Sequence, residues 1–509
     1  MKMTRLACLA IMAMAGITTA NAGGMLTNTN QSIAFLRNPA REAAIGIDGV
    51  YSNPAGVAFM DLGWHFGVNW QCAVQTRTIE TTNLYLDHTL NATEATAPTK
   101  RYRGHASAPC IPSLQAAYNT GKWSFQFNFA VAGGGGKCEF TKGIGTFESA
   151  VGQIATMLKP LGVMGYSSDS YMEGRQYYYG ITLGAAYKVH KNLSVYAGVR
   201  GLIANASYIA QIKDIQVATS AGLQNLGTFL DQENAYFDGV ISQTQAAYNQ
   251  YASQVDAIKA AYAQMDPTSA QGQQYGQILT AIAAYPQAVA AKEQIAPLDG
   301  YRDGIDLHCD ETGFGIAPLF GVDWKIGSVN LSAKYEFKTV MNLKNSSNLK
   351  AASIAATAQF VDGEKVREDS PALLAFGGQY SPAKNVRIDV GYHHFYDKQA
   401  KKFGDKNELL KGGTNEYLGG IEVDVTERLT LSTGGQITRY GLTDDYMSDV
   451  SFVTNSKSVG FGAKYKANQW VTIQAAYFKT FYDHYKTANG ANDFTRTNDV
   501  IGVGCDIDF

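Results

Sequence analysis

The chain has 509 residues, of which 45% are hydrophobic, 17% charged and 11% aromatic, with 52 glycines, 30 tyrosines and 12 prolines. So few charges with so much Gly and Tyr exclude a disordered polyelectrolyte, and the scarcity of proline excludes a Pro-rich stalk. A net charge of −2 leaves no basic footprint for nucleic acid, and a mean hydropathy of −0.16 excludes a bundle of apolar spanning helices.

Residues 1–22 read MKMTRLACLAIMAMAGITTANA. Lys2 and Arg5 form a charged start, residues 6–17 an apolar run, and Ala20-Asn21-Ala22 a small-x-small cleavage site. This pattern predicts a secretory signal peptide, too short to span a bilayer. Beyond it, Cys72, Cys110, Cys138, Cys309 and Cys505 are odd in number and widely spaced. They predict neither a disulfide framework nor a CxxC metal site. Cys72 and Cys505 occupy apolar positions of strand patterns and are expected as small buried hydrophobes.

Residues 23–61 do not alternate and are rich in small and apolar side chains. They carry two Asn-Pro-Ala triplets, Asn38-Pro39-Ala40 and Asn53-Pro54-Ala55. Asn caps helix starts and Pro fits the first helical position, so each triplet is expected to open a short helical turn. Such caps have a purely structural role unless their context says otherwise.

From Trp64 the period is two. Trp64, Phe66, Val68, Trp70, Cys72 and Val74 fall on one face, and His65, Gly67, Asn69, Gln71, Ala73 and Gln75 on the other. Trp123, Phe125, Phe127, Phe129 and Val131 alternate with Ser124, Gln126, Asn128, Ala130 and Ala132. The same alternation recurs at Val329, Leu331, Ala333 and Tyr335, and at Ile501, Val503, Cys505, Ile507 and Phe509. With further segments starting near Ile111, Gln176, Leu193, Phe314, Ala372, Val386, Tyr417, Leu429, Ser458 and Val471, about fourteen strands are expected, each near the 9–11 residues of a tilted membrane strand. Short connections (119–122, 190–192, 327–328, 381–385, 426–428, 467–469) alternate with long ones (80–108, 137–173, 209–311, 344–369, 399–414, 441–456, 486–496). This predicts an all-β fold, a fourteen-stranded antiparallel transmembrane β-barrel over residues 62–509, with Trp64, Trp123, Trp324, Tyr465 and Trp470 in interfacial girdles. A simple pore has no need of residues 23–61 before its first strand, so they are expected to plug the lumen.

The connection 209–311 shifts to Ala and Gln. Ile241, Thr244, Tyr248, Tyr251, Val255, Ile258, Tyr262 and Met265 recur at helical spacing, Asp266-Pro267 ends the pattern, and a second helix around Ile278, Leu279 and Ile282 is expected to break at Pro286. The expectation is a helical hairpin inserted in an extracellular loop, its tyrosines packing the two helices together. Asp299, Asp303, Asp306, Asp310 and Glu311, with His308 and Cys309, form an acidic stretch without EF-hand spacing. It reads as a solvated loop rather than a calcium site.

GVYSNPAGVAFMDLGWHFGVNWQ, residues 49–71, resembles the FadL/TodX family of outer-membrane transporters for long-chain fatty acids and other hydrophobic compounds. The resemblance implies a fourteen-stranded barrel with an N-terminal hatch whose motif maps onto Asn53, Pro54 and Ala55. It also implies an interrupted third strand that opens the wall toward the bilayer. Here the third strand, residues 123–132, runs into Gly133, Gly134, Gly135 and Gly136. Consecutive glycines permit a bulge or bend in a strand, and equally they end one at the outer rim. Phe35 and Leu36 are candidate ligand contacts of the hatch.

Function follows as passive transport of hydrophobic molecules, long-chain fatty acids in the first place, by hatch gating and lateral release. No nucleotide site or coupling motif is present. A porin for polar solutes is the alternative, with Arg200, Lys334, Glu336, Arg387, Asp389, Glu422 and Asp424 lining a wet lumen; a surface adhesin built on the hairpin is another. An enzyme is not expected: there is no Gly-x-Ser-x-Gly, and His393-His394 has no Ser partner. No cofactor or metal is expected. The partners implied are a hydrophobic small molecule, outer-membrane lipid of a Gram-negative cell, and the barrel assembly machinery, which the terminal Phe509 would address; the chain is expected to be a monomer.

Overall fold

The structure, a computed structural model, describes residue 25 and residues 27–350 and 359–509. The leader expected at residues 1–22 lies outside the described residues.

Fourteen strands form the wall. They are β1 (Gly63–Thr82), β2 (Thr99–Asn119), β3 (Trp123–Phe140), β4 (Gly165–His190), β5 (Leu193–Thr219), β6 (Ile305–Ile326) and β7 (Val329–Glu336) in the first half. The second half is β8 (Leu373–Ala383), β9 (Val386–Phe395), β10 (Thr414–Asp424), β11 (Leu429–Arg439), β12 (Ser456–Lys466), β13 (Val471–Tyr482) and β14 (Asn492–Asp508). Each pairs antiparallel with its sequence neighbours, and β1 pairs with β14 from His65↔Asp508 to Thr81↔Asn492, closing the barrel. Closure leaves no sheet edge for lipid to meet. Four further strands, Gly222–Asn225, Asn342–Lys350, Lys365–Arg367 and Tyr485–Lys486, extend hairpins at the long-loop end.

The wall is inside out relative to a soluble protein. Trp64, Val68, Trp70 and Val74 of β1 point outward and are 46%, 50%, 53% and 61% exposed, whereas Asn69, Gln71 and Gln75 point inward and are buried. Trp64, Trp123, Trp324, Tyr465 and Trp470 are all exposed and all lie beside short turns, so they form one girdle at that end. Cys72 and Cys505 depart from expectation. They are half-buried on the outward face, since in this wall the apolar face meets the bilayer; Cys138 and Cys309 are the buried pair.

Strand length also departs from the expected span. β4 and β5 have 26 and 27 residues, against 11 for β8 and β12. The extra residues stay in ladder beyond the bilayer, where β4 and β5 pair with each other, and they carry the outer helices. Those are α3 (Gly145–Met157), α4 (Leu226–Tyr251), α5 (Val255–Tyr262) and α6 (Ala270–Ile295), numbered after two short hatch helices, α1 (Ile33–Arg37) and α2 (Gly49–Ser52). The long connection starts later than residue 209 because β5 runs on to Thr219, while its first helix starts at Leu226, before the first periodic residue Ile241. Pro286 does not break α6; it sits inside the helix, beside Tyr285, whose ring stacks on Tyr248 of α4 at 4.6 Å. Packing along α4 thus offsets the one backbone hydrogen bond that proline removes. No described helix is long and apolar enough to cross a membrane.

Candidate functional site: the hatch and the break in the wall

Residues 27–62 fill the lumen as mostly irregular chain, and irregular backbone at membrane depth must find partners within the protein. The inward polar faces of the strands supply them. Gln71 donates to the Asn30 carbonyl (2.6 Å), Asn330 to Ala43 (2.7 Å), Lys334 to Tyr51 (2.7 Å), Gln126 to Pro54 (2.7 Å), Ser194 to Ala55 (2.6 Å) and Asn119 to Val57 (2.9 Å). Asn69 accepts from the Ile33 N–H at 2.9 Å. This is why the lumen face reads as polar along every strand.

The two Asn-Pro-Ala triplets do the same job on two wall strands, β6 and β9. Asn53 donates to Asp323 of β6 (2.6 Å) while its Oδ1 accepts from the Gly56 N–H (3.2 Å). Asn38 donates to Asp389 of β9 (2.7 Å) while its Oδ1 accepts from the Ala40 N–H (3.3 Å). Pro54 and Ala55 lead into a short 3-10 turn, Gly56–Phe59. Both asparagines end a helix, Asn38 closing α1 and Asn53 closing α2, and a 3-10 turn follows the second triplet alone.

Charged side chains complete the seat. Glu42 meets His393 Nε2 at 2.7 Å, and the other ring nitrogen lies 2.9 Å from Glu416. Arg37 pairs with Glu422, Arg41 with Asp48 at 2.8 Å, and Arg200 with Glu336 at 2.5 Å. Arg200 and Lys334 flank the Tyr51 ring, 4.8 and 5.3 Å from its centroid. The Tyr51 hydroxyl donates to the Asn28 carbonyl. Arg387 pairs with Asp424 at 2.6 Å and also contacts Glu422. The seven lumen charges that a wet channel would use are therefore committed to the hatch or to one another. A polar cavity of about 230 Å³ remains between residues 37–48 and the wall, lined by Arg37, Arg41, Arg387, Glu422, Lys464 and Asp506 among others.

The glycine run lies inside β3, not at its end. The ladder between β2 and β3 stops at Ser113↔Ala130 and resumes at Ser107↔Lys137. On the other side, β3–β4 pairing shifts register between Val131 and Gly133 and again between Gly134 and Lys137. Gly134 and Gly136 have φ of 69° and 79°, and a Cβ on Gly134 would lie 2.3 Å from the Gln176 carbonyl oxygen. Only glycine fits there. Facing the run across the gap is Ala108-Pro109-Cys110-Ile111-Pro112, whose prolines have no N–H to give the ladder. That pairing of Pro with Gly was legible in the sequence, but only once the strands were known to be neighbours.

The amino-terminal arm of the hatch occupies this break. Thr27 bridges Gly133, the Asn28 N–H donates to the Ala132 carbonyl (2.9 Å), and the Asn28 amide donates to Val131 (3.0 Å) and Gly134 (2.7 Å). Phe35 and Leu36 are buried next to it in an apolar cluster with Ile111 and Val131 of the break, Ala73, Phe478 and Val500 of the wall, and half-buried Tyr177 and Tyr179. Toward the long-loop end a larger apolar cluster joins Met25 of the arm to Ile79, Phe494, α3, the base of α4 and residues 442–453. The acidic stretch after the hairpin is mostly exposed, but Glu311 faces inward and is buried. Among the described residues no His, Cys, Asp and Glu group is placed to hold a metal.

No protein-family model matches this sequence, and no curated protein does. Solved structures match along nearly the whole chain. A FadL homologue from Pseudomonas aeruginosa is 12% identical with a TM-score of 0.57, over 96% of this chain and 100% of that one. The toluene transporter TodX of P. putida is 13% identical with a TM-score of 0.51, over 91% and 94%. A mutant of TodX, described as a monoaromatic hydrocarbon channel, is 13% identical with a TM-score of 0.54, over 94% and 99%.

Proposed function

We propose, from a barrel fold shared with FadL and TodX, that this chain is an outer-membrane transporter of hydrophobic compounds that works without an energy source. Long-chain fatty acids are the first candidate cargo and monoaromatic hydrocarbons the second. The observation that carries the reading is the Asn28 arm lying in the break between β2 and β3.

An apolar solute gains nothing from a water-filled pore, because each buried CH₂ is worth about 0.8 kcal/mol. It needs apolar surface at each stage and an exit into lipid. Two apolar clusters supply the surface, one under the outer loops and one around Phe35 and Leu36 beside the break. Cargo passes from the first to the second, displaces the arm from the glycine carbonyls, and leaves sideways through the wall. The arm must then have two states, with cargo favouring the displaced one. The rest of the hatch stays seated on its ion pairs. The cell compartment is the Gram-negative outer membrane, and neither catalysis nor a cofactor enters the mechanism.

The test is saturable binding of radiolabelled palmitate and toluene to the purified barrel in detergent, followed by uptake into proteoliposomes. A crosslink between cysteines placed at Asn28 and Gly133 should stop uptake and leave binding at the outer cluster. Uptake that survives the crosslink would overturn the lateral route; absence of saturable binding by either compound would overturn the cargo class.

A further inference from the structure

Glu311 of β6 differs from the other inward carboxylates. Glu42 and Glu416 meet an imidazole, Glu336 and Glu422 a guanidinium, and Asp323 an amide. Glu311 is 1% exposed, and among the described residues its Oε1 has no hydrogen-bond partner. The charge that acts on it is that of Glu368, which has the same sign. Glu368 is itself committed to Lys402 at 2.9 Å. A buried carboxylate without a counter-charge is costly, so its surroundings must answer for it.

Barrel register sets two more such oxygens beside it. Asn345, on the loop strand Asn342–Lys350, stands directly opposite Glu311, and Gln176 of β4 lies on the same rung beyond Ala206 of β5. All three side chains are buried. Asn345 donates its amide hydrogens to the carbonyls of Gln359 (2.6 Å) and Val361 (3.2 Å), and Gln176 donates to the Tyr178 hydroxyl (3.3 Å). Asn345 Oδ1 and Gln176 Oε1 are left without a partner among the described residues. Ala206 offers only a methyl, so the roughly 10 Å between β4 and β6 is left to the two long side chains. A proton on Glu311 would serve one of the other two oxygens, whereas a cation serves all three.

We propose that Glu311, Asn345 and Gln176 bind a sodium ion, which fastens the strand Asn342–Lys350 to β4 and β6. The set is not a group of carboxylates and imidazoles of the kind that holds zinc or calcium; amide oxygens complete it. One uncompensated carboxylate calls for one positive charge. Calcium takes about six to eight oxygens, commonly from several carboxylates, and the second carboxylate here is held by Lys402. With so few protein oxygens, sodium fits better than the larger potassium. The site lies beyond the bilayer. Trp324 of the girdle, on the same strand, is roughly 30 Å away at about 3.3 Å per residue and a tilt of about 45°, more than the apolar band of about 25 Å. Ions therefore reach it from the water around the long loops. Through Asn345 the ion also holds residues 359–361, where Phe360 packs on Tyr208 at 5.8 Å in the outer apolar cluster. Sodium thus stiffens one cover of that cluster, whatever cargo passes beneath it.

The experiment follows hydrogen exchange of residues 342–349 and 359–367 in the purified full barrel. It compares sodium, potassium, choline and calcium chlorides at equal ionic strength and about pH 8, above the ordinary carboxylate range. Sodium is expected to slow exchange there by about tenfold relative to choline, the factor that mass action gives with the ion near ten times its dissociation constant. Glu311→Gln keeps the shape and removes the charge, so it should fold and exchange equally in sodium and choline. Gln176→Glu adds a carboxylate on the same rung and should turn the preference from sodium to calcium. Equal exchange of the wild type in sodium and choline overturns the site and leaves Glu311 a protonated acid; this comparison decides even where a variant does not fold. A wild-type response to potassium or calcium but not sodium overturns the assignment of the ion. A sodium effect that survives in Glu311→Gln overturns its location. Each of these outcomes leaves the transport reading standing.

Discussion

The side-chain amide of Asn28 donates to the carbonyl of Gly134 at 2.7 Å, joining the hatch arm to β3 where that strand does not pair with β2. Gly134 is in a left-handed conformation, where the β3–β4 pairing shifts register. A polar group left unpaired at this depth costs about 1–3 kcal/mol, so the arm and the break stabilise each other.

Asn28→Ala removes the side-chain donor that ties the arm to the carbonyls of both Val131 and Gly134. The arm should loosen by about 1–3 kcal/mol. Hydrogen exchange at residues 27–32 should accelerate by more than tenfold, while the rest of the hatch keeps its protection. Proteoliposome uptake of palmitate should rise at low substrate concentration.

Gly134→Ala should act in the opposite sense on the wall. The left-handed backbone alone costs a residue with a Cβ roughly 1–2 kcal/mol, and the added carbon would overlap the Gln176 carbonyl at 2.3 Å. The folded barrel should lose its compact gel mobility at a lower temperature than the wild type. Gly162→Ala, in open space but also at positive φ, should show only the backbone cost.

Glu42→Ala takes away the hatch side of the Glu42–His393–Glu416 bridge. Breaking a buried pair by removing one partner costs about 3–5 kcal/mol. The seated part of the hatch should then move, and planar bilayers holding this variant should show brief ion-conducting openings that the wild type lacks. Unchanged conductance would place the hatch's hold in the backbone bonds from Asn119, Gln126, Ser194 and Lys334 instead.

Phe35→Ala should lower the melting temperature and weaken palmitate binding together. The ring is 3% exposed and stands 5.9 Å from that of Phe478, and a buried Phe→Ala change costs about 3–5 kcal/mol. A stability loss with binding unchanged would make Phe35 a packing residue only.

The loop after β9 should respond to pH through Asp397. Burial pushes this carboxyl up from 3.8 to about 6, against hydrogen bonds from Thr414 and from the Met25 N–H of the arm. An acid raised in the folded state holds more protons folded than unfolded between those two values, so stability falls as pH rises from about 4 to about 6. Exchange protection of residues 397–414, corrected for intrinsic rates, should decline across that window and be flat in Asp397→Asn.

How much of this was readable in the chain itself varies by element. The alternation at Trp64 to Gln75 states which side chains face which way, because a strand's period of two needs only local sequence, and the alternation of short and long connections then requires a closed barrel. The resemblance at residues 49–71 implied a hatch around Asn53-Pro54-Ala55. Other features depend on which residues become neighbours. Pro286 reads as a helix breaker until α4 packs beside it. Asn38 reads as a helix cap until Asp389 takes its amide. The glycine run reads equally as a strand end or a bend until β2 sets Pro109 and Pro112 against it. Arg77 and Arg496 lie at opposite ends of the sequence, and they face each other only because barrel closure places β14 against β1. Sequence alone determined the period, the polarity of each face and the strand count, all local properties of the backbone. Tertiary structure alone decided the site, since a buried charge or an unpaired carbonyl acquires its cost from what surrounds it, and closure chooses those surroundings.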